Sequence, residues 1–306
     1  GFRYDMAEME PYEFWSYMNS AIKVKNPDAF LMAEVYNPNE YRNYIRLGKM
    51  DYLYDKVETY DHLKAVIQGK TWPDGLTDIQ HRMEDIEHHM LKFLDNHDEQ
   101  RLASPEFAGT PQKGKPLMVV SATLSSAPTM IYFGQEVGEA GNENAGFGTH
   151  SRTSIFDYIG VPNHQRWMNG GKFDGGQLSQ DEKDLRDFYK RLLNFSISSS
   201  ALMGNFQEIQ TANRNITQGY DIAIYAYTRW SETQKLIVVT NFYSLASSSF
   251  ELRIPADIIQ KWNLKDGTYT ITDQLYHQKT TQLRVENGEG KAQISIGPSE
   301  SFIFQL

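Results

Sequence analysis

The chain has 306 residues, with 39 acidic against 30 basic side chains and a formal charge of −9. That balance argues against nucleic acid and anionic membrane surfaces as partners, because an acidic surface neutralises neither. No apolar stretch is long enough to cross a membrane, and the absence of cysteine removes disulfides and thiol chemistry while leaving the redox compartment open.

The first stretch, Gly1-Phe2-Arg3-Tyr4-Asp5, reads as a buried strand. Residues two apart on a strand share a face, so Arg3 and Asp5 point the same way. The guanidinium then favours the ionised carboxylate that a nucleophile needs, although a plain structural ion pair has the same signature. Residues 11–25 read as a helix, with Pro11 suited to its first turn and Trp15, Met18 and Ile22 recurring on one core-facing stripe. Asn26-Pro27-Asp28 breaks it. Residues 30–33 are a short apolar run of the kind found in a parallel strand covered on both faces, and they deliver Glu34 at the C-terminal end. Residues 51–54 repeat the plan, followed by a helix over 57–68.

Further along, Thr77 with Gln80 looks like a capping box that opens a helix placing Ile79, Met83, Ile86 and Met90 on one stripe and leading to a strand that ends at Asp98. His88 and His89 are helical neighbours about 100° apart, and His81 is seven residues away. That is not the i, i+4 spacing of a helical chelate, so no metal is read there. A helix is expected over 115–125 and a strand over 128–133. The glycine-rich run 134–148 lacks the strand, Gly-x-Gly-x-x-Gly and helix order of a dinucleotide site and reads as a mobile loop over the active face. Ser179 and Glu182 form another capping box, with Leu185, Phe188, Tyr189 and Leu192 on the last amphipathic helix.

Strands near 1, 30, 51, 92 and 128 alternating with helices argue for right-handed βαβ units and a parallel sheet. Polar residues at the C-terminal ends of several such strands suit a TIM barrel. The expected fold class is therefore α/β: over residues 1–204 the C-terminal portion of a (β/α)8 barrel, with five strands where eight close, then an all-β antiparallel sandwich over 205–306. Its short alternating strands fall near 206–211, 222–229, 236–242, 248–254, 268–273, 282–286, 292–296 and 302–306, with turn signals at Asp266-Gly267, Asn287-Gly288 and Gly297-Pro298. Ala292, Ile294 and Ile296 alternate with Gln293 and Ser295, the pattern of one buried and one solvated face.

Three acidic motifs, Gly1-Phe2-Arg3-Tyr4-Asp5, Phe30-Leu31-Met32-Ala33-Glu34 and Phe93-Leu94-Asp95-Asn96-His97-Asp98, resemble in order and spacing the second, third and fourth signature motifs of glycoside hydrolase family 13, the α-amylase family. Tyr132-Phe133-Gly134-Gln135-Glu136 is similar to the family's Tyr-Tyr-Gly-x-Glu. The resemblance runs to about Asn205. It implies barrel strands four to eight followed by the family's usual β-sandwich, here a stabilising partner of the barrel. It also implies retaining hydrolysis of α-1,4-linked glucans such as starch and maltodextrins, for which the 13% aromatic content offers stacking surfaces beyond those spent on core packing.

On this resemblance Asp5 is the nucleophile, Glu34 the general acid/base and Asp98 the third carboxylate that grips sugar hydroxyls. Arg3 would hold Asp5 ionised, His97 would hydrogen-bond the same sugar, and Tyr36 with Asn37 would line the leaving-group side. The competing bland readings are Glu34 as an acid capping the next loop and Asp98 as the partner of Arg101. An α-glucan transglycosylase of the same family and a non-catalytic glucan-binding relative are the alternative functions, since water exclusion and cleft shape decide between hydrolysis and transfer.

Departures from the family pattern shape the rest of the expectation. The first signature motif, an Asp followed by Asn-His, occurs nowhere in the chain, and Glu8-Met9 stand where many members have Lys-His. The family's usual calcium site draws on that His and on the missing Asn, so calcium is not carried over and no cofactor or metal is expected. The frequent Arg-x-Pro-Met-x-Trp appears only as Arg152-Thr153-Ser154-Ile155-Phe156-Asp157. The chain therefore reads as the C-terminal part of a longer enzyme. Its expected partners are an α-glucan and either the N-terminal half of the barrel or a second chain, with no nucleic acid and no membrane.

Overall fold

The computed structural model describes residues 1–141, 151–153, 160–276 and 279–306. Residues 142–148 of the glycine-rich run 134–148 and residues 154–157 of the 152–157 match lie outside the described residues. Four short parallel strands, β1 (Phe2–Tyr4), β2 (Leu31–Ala33), β3 (Tyr52–Tyr54) and β4 (Met90–Leu91), lie side by side in sequence order. A fifth position is present only as a parallel bridge between Lys92 and Thr129, closed by Lys92 N–H to Pro128 O at 2.9 Å and Met130 N–H to Lys92 O at 2.8 Å. The expected strand over 128–133 is thus shorter than its apolar run. It has one neighbour among the described residues, and the chain turns away at Gly134, whose φ of 81° is left-handed.

Helices cover the crossovers. They are α1 (Tyr12–Lys25), α2 (Tyr41–Arg46), α3 (Asp61–Ile67), α4 (Gly75–Met83), α5 (Pro111–Thr123), α6 (Pro162–Met168) and α7 (Gln180–Ser198). The capping box of α7 is present in both directions: Ser179 Oγ accepts from Glu182 N–H at 3.3 Å, and Ser179 N–H donates to Glu182 Oε2 at 2.8 Å. The box expected at Thr77 is not. α4 begins two residues earlier, because Thr77 Oγ1 lies 3.1 Å from the Tyr225 hydroxyl and Gln80 Nε2 donates to Leu124 O at 3.2 Å. Both side chains serve tertiary contacts that local sequence cannot report. Ile86 and Met90 lie beyond the end of α4 yet pack in the same core cluster as Ile79 and Met83.

Residues 205–306 form one curled antiparallel sheet. Its strands are β5 (Asn205–Glu208), β6 (Ile224–Trp230), β7 (Lys235–Asn241), β8 (Ser248–Ile254), β9 (Gly267–Asp273), β10 (Thr280–Glu286), β11 (Glu289–Ile296) and β12 (Ser301–Gln305). Their spatial order is β5-β6-β7-β12-β9-β10-β11-β8. The turn between β10 and β11 places Asn287 at φ 52° and Gly288 at φ 77°, the doubly left-handed conformation that an Asn-Gly hairpin supplies. A short helix, α8 (Ala256–Lys261), was not anticipated; it closes one end of this core with Ile258, Ile259 and Trp262.

The sheet meets the helical layer through strands buried on both faces. On β6, Tyr225 and Tyr227 join the barrel core while Ile224 and Ala226 join the sheet's own core, and on β7 Leu236 and Val238 are set against Ile237 and Val239 in the same way. Period-2 geometry assigns alternate residues to opposite faces, which is why this segment is uninterruptedly apolar. Arg229 is buried at the seam. Its guanidinium donates to the carbonyls of Leu124 (2.8 Å), Leu202 and Gly204 (3.3 Å). Arg229→Met should therefore lower the free energy of unfolding by at least about 2 kcal/mol, since an unpaired buried carbonyl costs about 1–3 kcal/mol. A urea midpoint equal to the parent's would show the guanidinium to be dispensable.

Candidate active site

The C-terminal ends of β1 to β4 bring the sequence-predicted acids to one rim. The parallel register pairs Phe2 with Leu31, Arg3 with Met32 and Tyr4 with Ala33, so one step further Asp5 stands level with Glu34 on the neighbouring strand. Adjacent strands lie about 4.8 Å apart, and a register slip of one residue would send one of the two to the opposite face. Arg3 joins them. Its Nη1 donates to Asp5 Oδ1 and its Nη2 to Glu34 Oε2 at 3.0 Å, with its guanidinium 5.6 Å from the centroid of the Tyr54 ring. The guanidinium is thus shared by both acids and does not serve Asp5 alone, which the two-residue spacing could not disclose.

The two carboxylates differ in setting. The Asp5 side chain is 71% exposed and that of Glu34 only 4%, so one meets solvent and the other is enclosed. Glu34 Oε2 also accepts Met6 N–H at 3.0 Å. Met6 aims that N–H from a left-handed backbone, φ 44°, a conformation that costs a residue with a Cβ about 1–2 kcal/mol.

Asp98 does not end a strand as expected: β4 stops at Leu91, and Asp98 lies on the loop that follows it. Asn96, buried beneath it, accepts Asp98 N–H at 2.9 Å and Glu99 N–H at 2.8 Å through its side-chain oxygen, an Asx turn that sets the loop. His97 Nε2 lies 3.0 Å from Asp98 Oδ2. Arg101 is not the partner of Asp98. It is fully buried, paired at 3.4 Å with Asp95, and donates to Thr153 Oγ1 at 2.6 Å and Phe133 O at 2.7 Å while lying over the Tyr132 and Phe133 rings.

Tyr36 and Tyr54 tie the two sides of the rim together. Burial pushes the Tyr36 phenol up, and its hydrogen bond to Glu34 with the negative charges of Glu34, Glu99 and Asp98 adds to the effect, so it is a neutral hydroxyl facing those acids. Tyr54 is raised mainly by burial, lowered by Arg3 and raised again by Glu34 and Asp98. Sequence reading missed Tyr54 as a site residue; its position at the end of a barrel strand was the available signal. It also missed Glu99, which pairs with Lys56 at 3.4 Å and accepts from the Tyr60 hydroxyl at 3.1 Å.

Met9, where the resemblance would need a histidine, is 74% exposed and offers a thioether, which is no ligand for a hard cation. Among the described residues no three His, Cys, Asp or Glu side chains converge on a metal position. His89 Nδ1 instead lies 2.8 Å from Asp51 O.

An arginine-bridged pair of acids with a third carboxylate at the C-terminal rim of parallel βα units defines a barrel-type site built on carboxylates. The family model "Alpha amylase, catalytic domain" matches residues 2–222, and the chain belongs to that family, glycoside hydrolase family 13. A cyclomaltodextrinase from Bacillus sp is 23% identical over 79% of this chain and 38% of its own length. An amylopullulanase from Thermoanaerobacter thermohydrosulfuricus is 22% identical over 96% of this chain and 22% of its own length. Among solved structures, an Anoxybacillus α-amylase superposes with a TM-score of 0.70 at 18% identity, covering 100% of this chain and 58% of that one. The α-amylase from Geobacillus thermoleovorans complexed with acarbose gives 0.71 at 16% identity, covering 100% and 59%. The chain spans well under half the length of these curated relatives.

Asp95 makes the fold beneath the Asn96–Asp98 turn sensitive to pH. Burial pushes its carboxyl up to about 6, with Arg101 and the Leu102 N–H countering only part of the effect, against about 3.9 in an unfolded chain. The native state then holds a proton that the unfolded state has released, so the contribution of Asp95 is complete below about pH 4 and is lost as the pH rises through about 6. Asp95→Asn, which keeps an acceptor for Leu102 N–H, should gain stability relative to the parent on going from about pH 4 to about pH 7. Parallel stability profiles for the two proteins would refute this.

Proposed function

We propose that this chain carries the catalytic centre of a retaining glycoside hydrolase acting on α-1,4-linked glucans such as starch and maltodextrins. The observation that carries the reading is the register-matched pair Asp5 and Glu34 bridged by Arg3. Retaining enzymes need two carboxyl groups about 5–5.5 Å apart, one attacking the anomeric carbon and one protonating the leaving oxygen. Acids at matched positions on neighbouring strands start from a backbone spacing of about 4.8 Å. Exposed Asp5 is the nucleophile that forms the glycosyl ester. Glu34 gives its proton to the departing glycosidic oxygen and then takes one from the water that cleaves the ester.

Asp98, on the loop after β4, accepts hydrogen bonds from sugar hydroxyls and stabilises the positive charge that develops on the ring, and His97 supports it. Tyr36 presents its neutral hydroxyl on the leaving-group side. The names of the relatives, a cyclomaltodextrinase and an amylopullulanase, favour an α-glucan as substrate. No neighbouring strand lies on the outer edge of β1 or beyond the Thr129 bridge among the described residues, and Phe2 is 54% exposed. Open edges of this kind favour an active form in which further barrel strands, from a longer chain or a second polypeptide, cover both.

Maltoheptaose incubated with the complete enzyme should give shorter sugars whose new reducing ends are first released in the α configuration. Glu34→Gln should lower the rate by about 10²–10⁴-fold while maltodextrin binding persists. Longer products would indicate a transferase and an unchanged substrate a glucan binder. Cleavage by Glu34→Gln at the parental rate would remove Glu34 from the mechanism.

A further inference from the structure

Two consecutive backbone amides just beyond Glu34 are held by a single carboxylate. Tyr36 N–H and Asn37 N–H donate to Glu8 Oε2 at 3.0 and 2.9 Å. Glu8 lies in the one-turn helix Ala7–Met9 that follows Asp5. From the same turn, Met6 N–H reaches the Glu34 carboxylate at 3.0 Å and Ala7 N–H the Glu34 carbonyl at 2.9 Å. The turn behind the nucleophile therefore grips the acid's strand end at its carboxylate, its carbonyl and the two amides downstream.

That turn is itself anchored. The Trp15 indole N–H donates to Ala7 O at 2.9 Å, and the Tyr44 hydroxyl donates to Glu10 O at 2.8 Å, so α1 and α2 fix its position. β2 ends at Ala33, which leaves Tyr36 and Asn37 without a strand partner. Successive N–H groups converging on one anion form a nest, and a charged acceptor makes each bond roughly twice as strong as a neutral one. The side chain so positioned is that of Tyr36, whose hydroxyl faces Glu34 and whose ring centroid is 6.0 Å from Lys56 Nζ. Many family members carry lysine where Glu8 stands, and an ammonium has no acceptor for these amides.

We propose that Glu8 is a positioning residue whose carboxylate fixes the Tyr36–Asn37 backbone, and through it the mutual placement of the Tyr36 hydroxyl and the Glu34 carboxyl, so that bond cleavage depends on it more than glucan binding does. The proposal rests on the reading of Glu34 as the acid/base. It accounts for an acid at a position where the family pattern has a base: in this chain the residue holds a loop.

Glu8→Ala, Glu8→Gln and Glu8→Lys, compared with Glu34→Gln in the complete enzyme, test it. Glu8→Ala and Glu8→Lys should lower kcat about tenfold or more with KM within about twofold, since a displacement near 1 Å can cost about 10²-fold. Glu8→Gln, which keeps an acceptor oxygen, should recover most of the loss. Independently of activity, the Tyr36 and Asn37 amides should exchange with solvent faster in the Ala and Lys variants while the strand amides keep their protection. Parental kcat in Glu8→Lys, unchanged exchange at the two amides, or a loss of protection spread over the whole barrel would each overturn the proposal. Parental cleavage by Glu34→Gln would instead remove the acid/base reading, leaving the exchange measurement to decide the brace.

Discussion

One guanidinium between two carboxylates is the constraint on which the rim depends. Asp5 and Glu34 stand level on adjacent strands, and negative charge on either is favoured where a cation lies between them. A carboxyl group as enclosed as Glu34 also needs hydrogen-bond partners to leave water without penalty. Arg3 meets both demands, and Met6 N–H completes the set. The arrangement requires the β1–β2 register to be what it is, and the helices packed behind those strands keep it so. Trp15 on α1 binds the turn after Asp5, and Tyr44 on α2 binds the residue that ends it.

The second dependency is the seam between the parallel units and the curled sheet. β6 and β7 are covered on both faces, so each contributes side chains to two cores. Residues that cannot be fully apolar there find specific partners: Thr123 Oγ1 lies 2.5 Å from the Tyr227 hydroxyl, and Arg214 pairs with Asp74 at 2.5 Å. The sheet therefore acts on the barrel through packing and hydrogen bonds at the seam. Arg101 plays a comparable part beneath the rim, joining the Asn96–Asp98 turn to the strand end at Phe133 and to Thr153.

Wherever a local rule and the tertiary structure wanted the same thing, the element was legible. The α7 capping box, the Asn287-Gly288 hairpin and the alternation along β11 are cases in which neighbouring residues satisfy one another. Thr77 and Gln80 show the converse. Their spacing is that of a capping box, but their side chains are taken by Tyr225 and Leu124, 148 and 44 residues away. The unanticipated α8 is six residues long, too short for a periodic signal, and is stable only because Ile258 and Ile259 are buried in the sheet's core.

By itself the sequence determined the alternation of parallel strands with the longer helices, the change from a period near 3.6 to a period of 2 after residue 204, and the positions of Asp5 and Glu34 just past strand ends, because all of these follow from patterns among near neighbours. Only the tertiary structure decided that Arg3 is shared between two acids, that Tyr54 lies among Arg3, Glu34 and Asp98, and that Glu8 holds the loop beyond Glu34. Each of those facts depends on which strands lie side by side and at what register. Contacts between residues about thirty or more positions apart are set by packing the whole chain, and no short motif carries them.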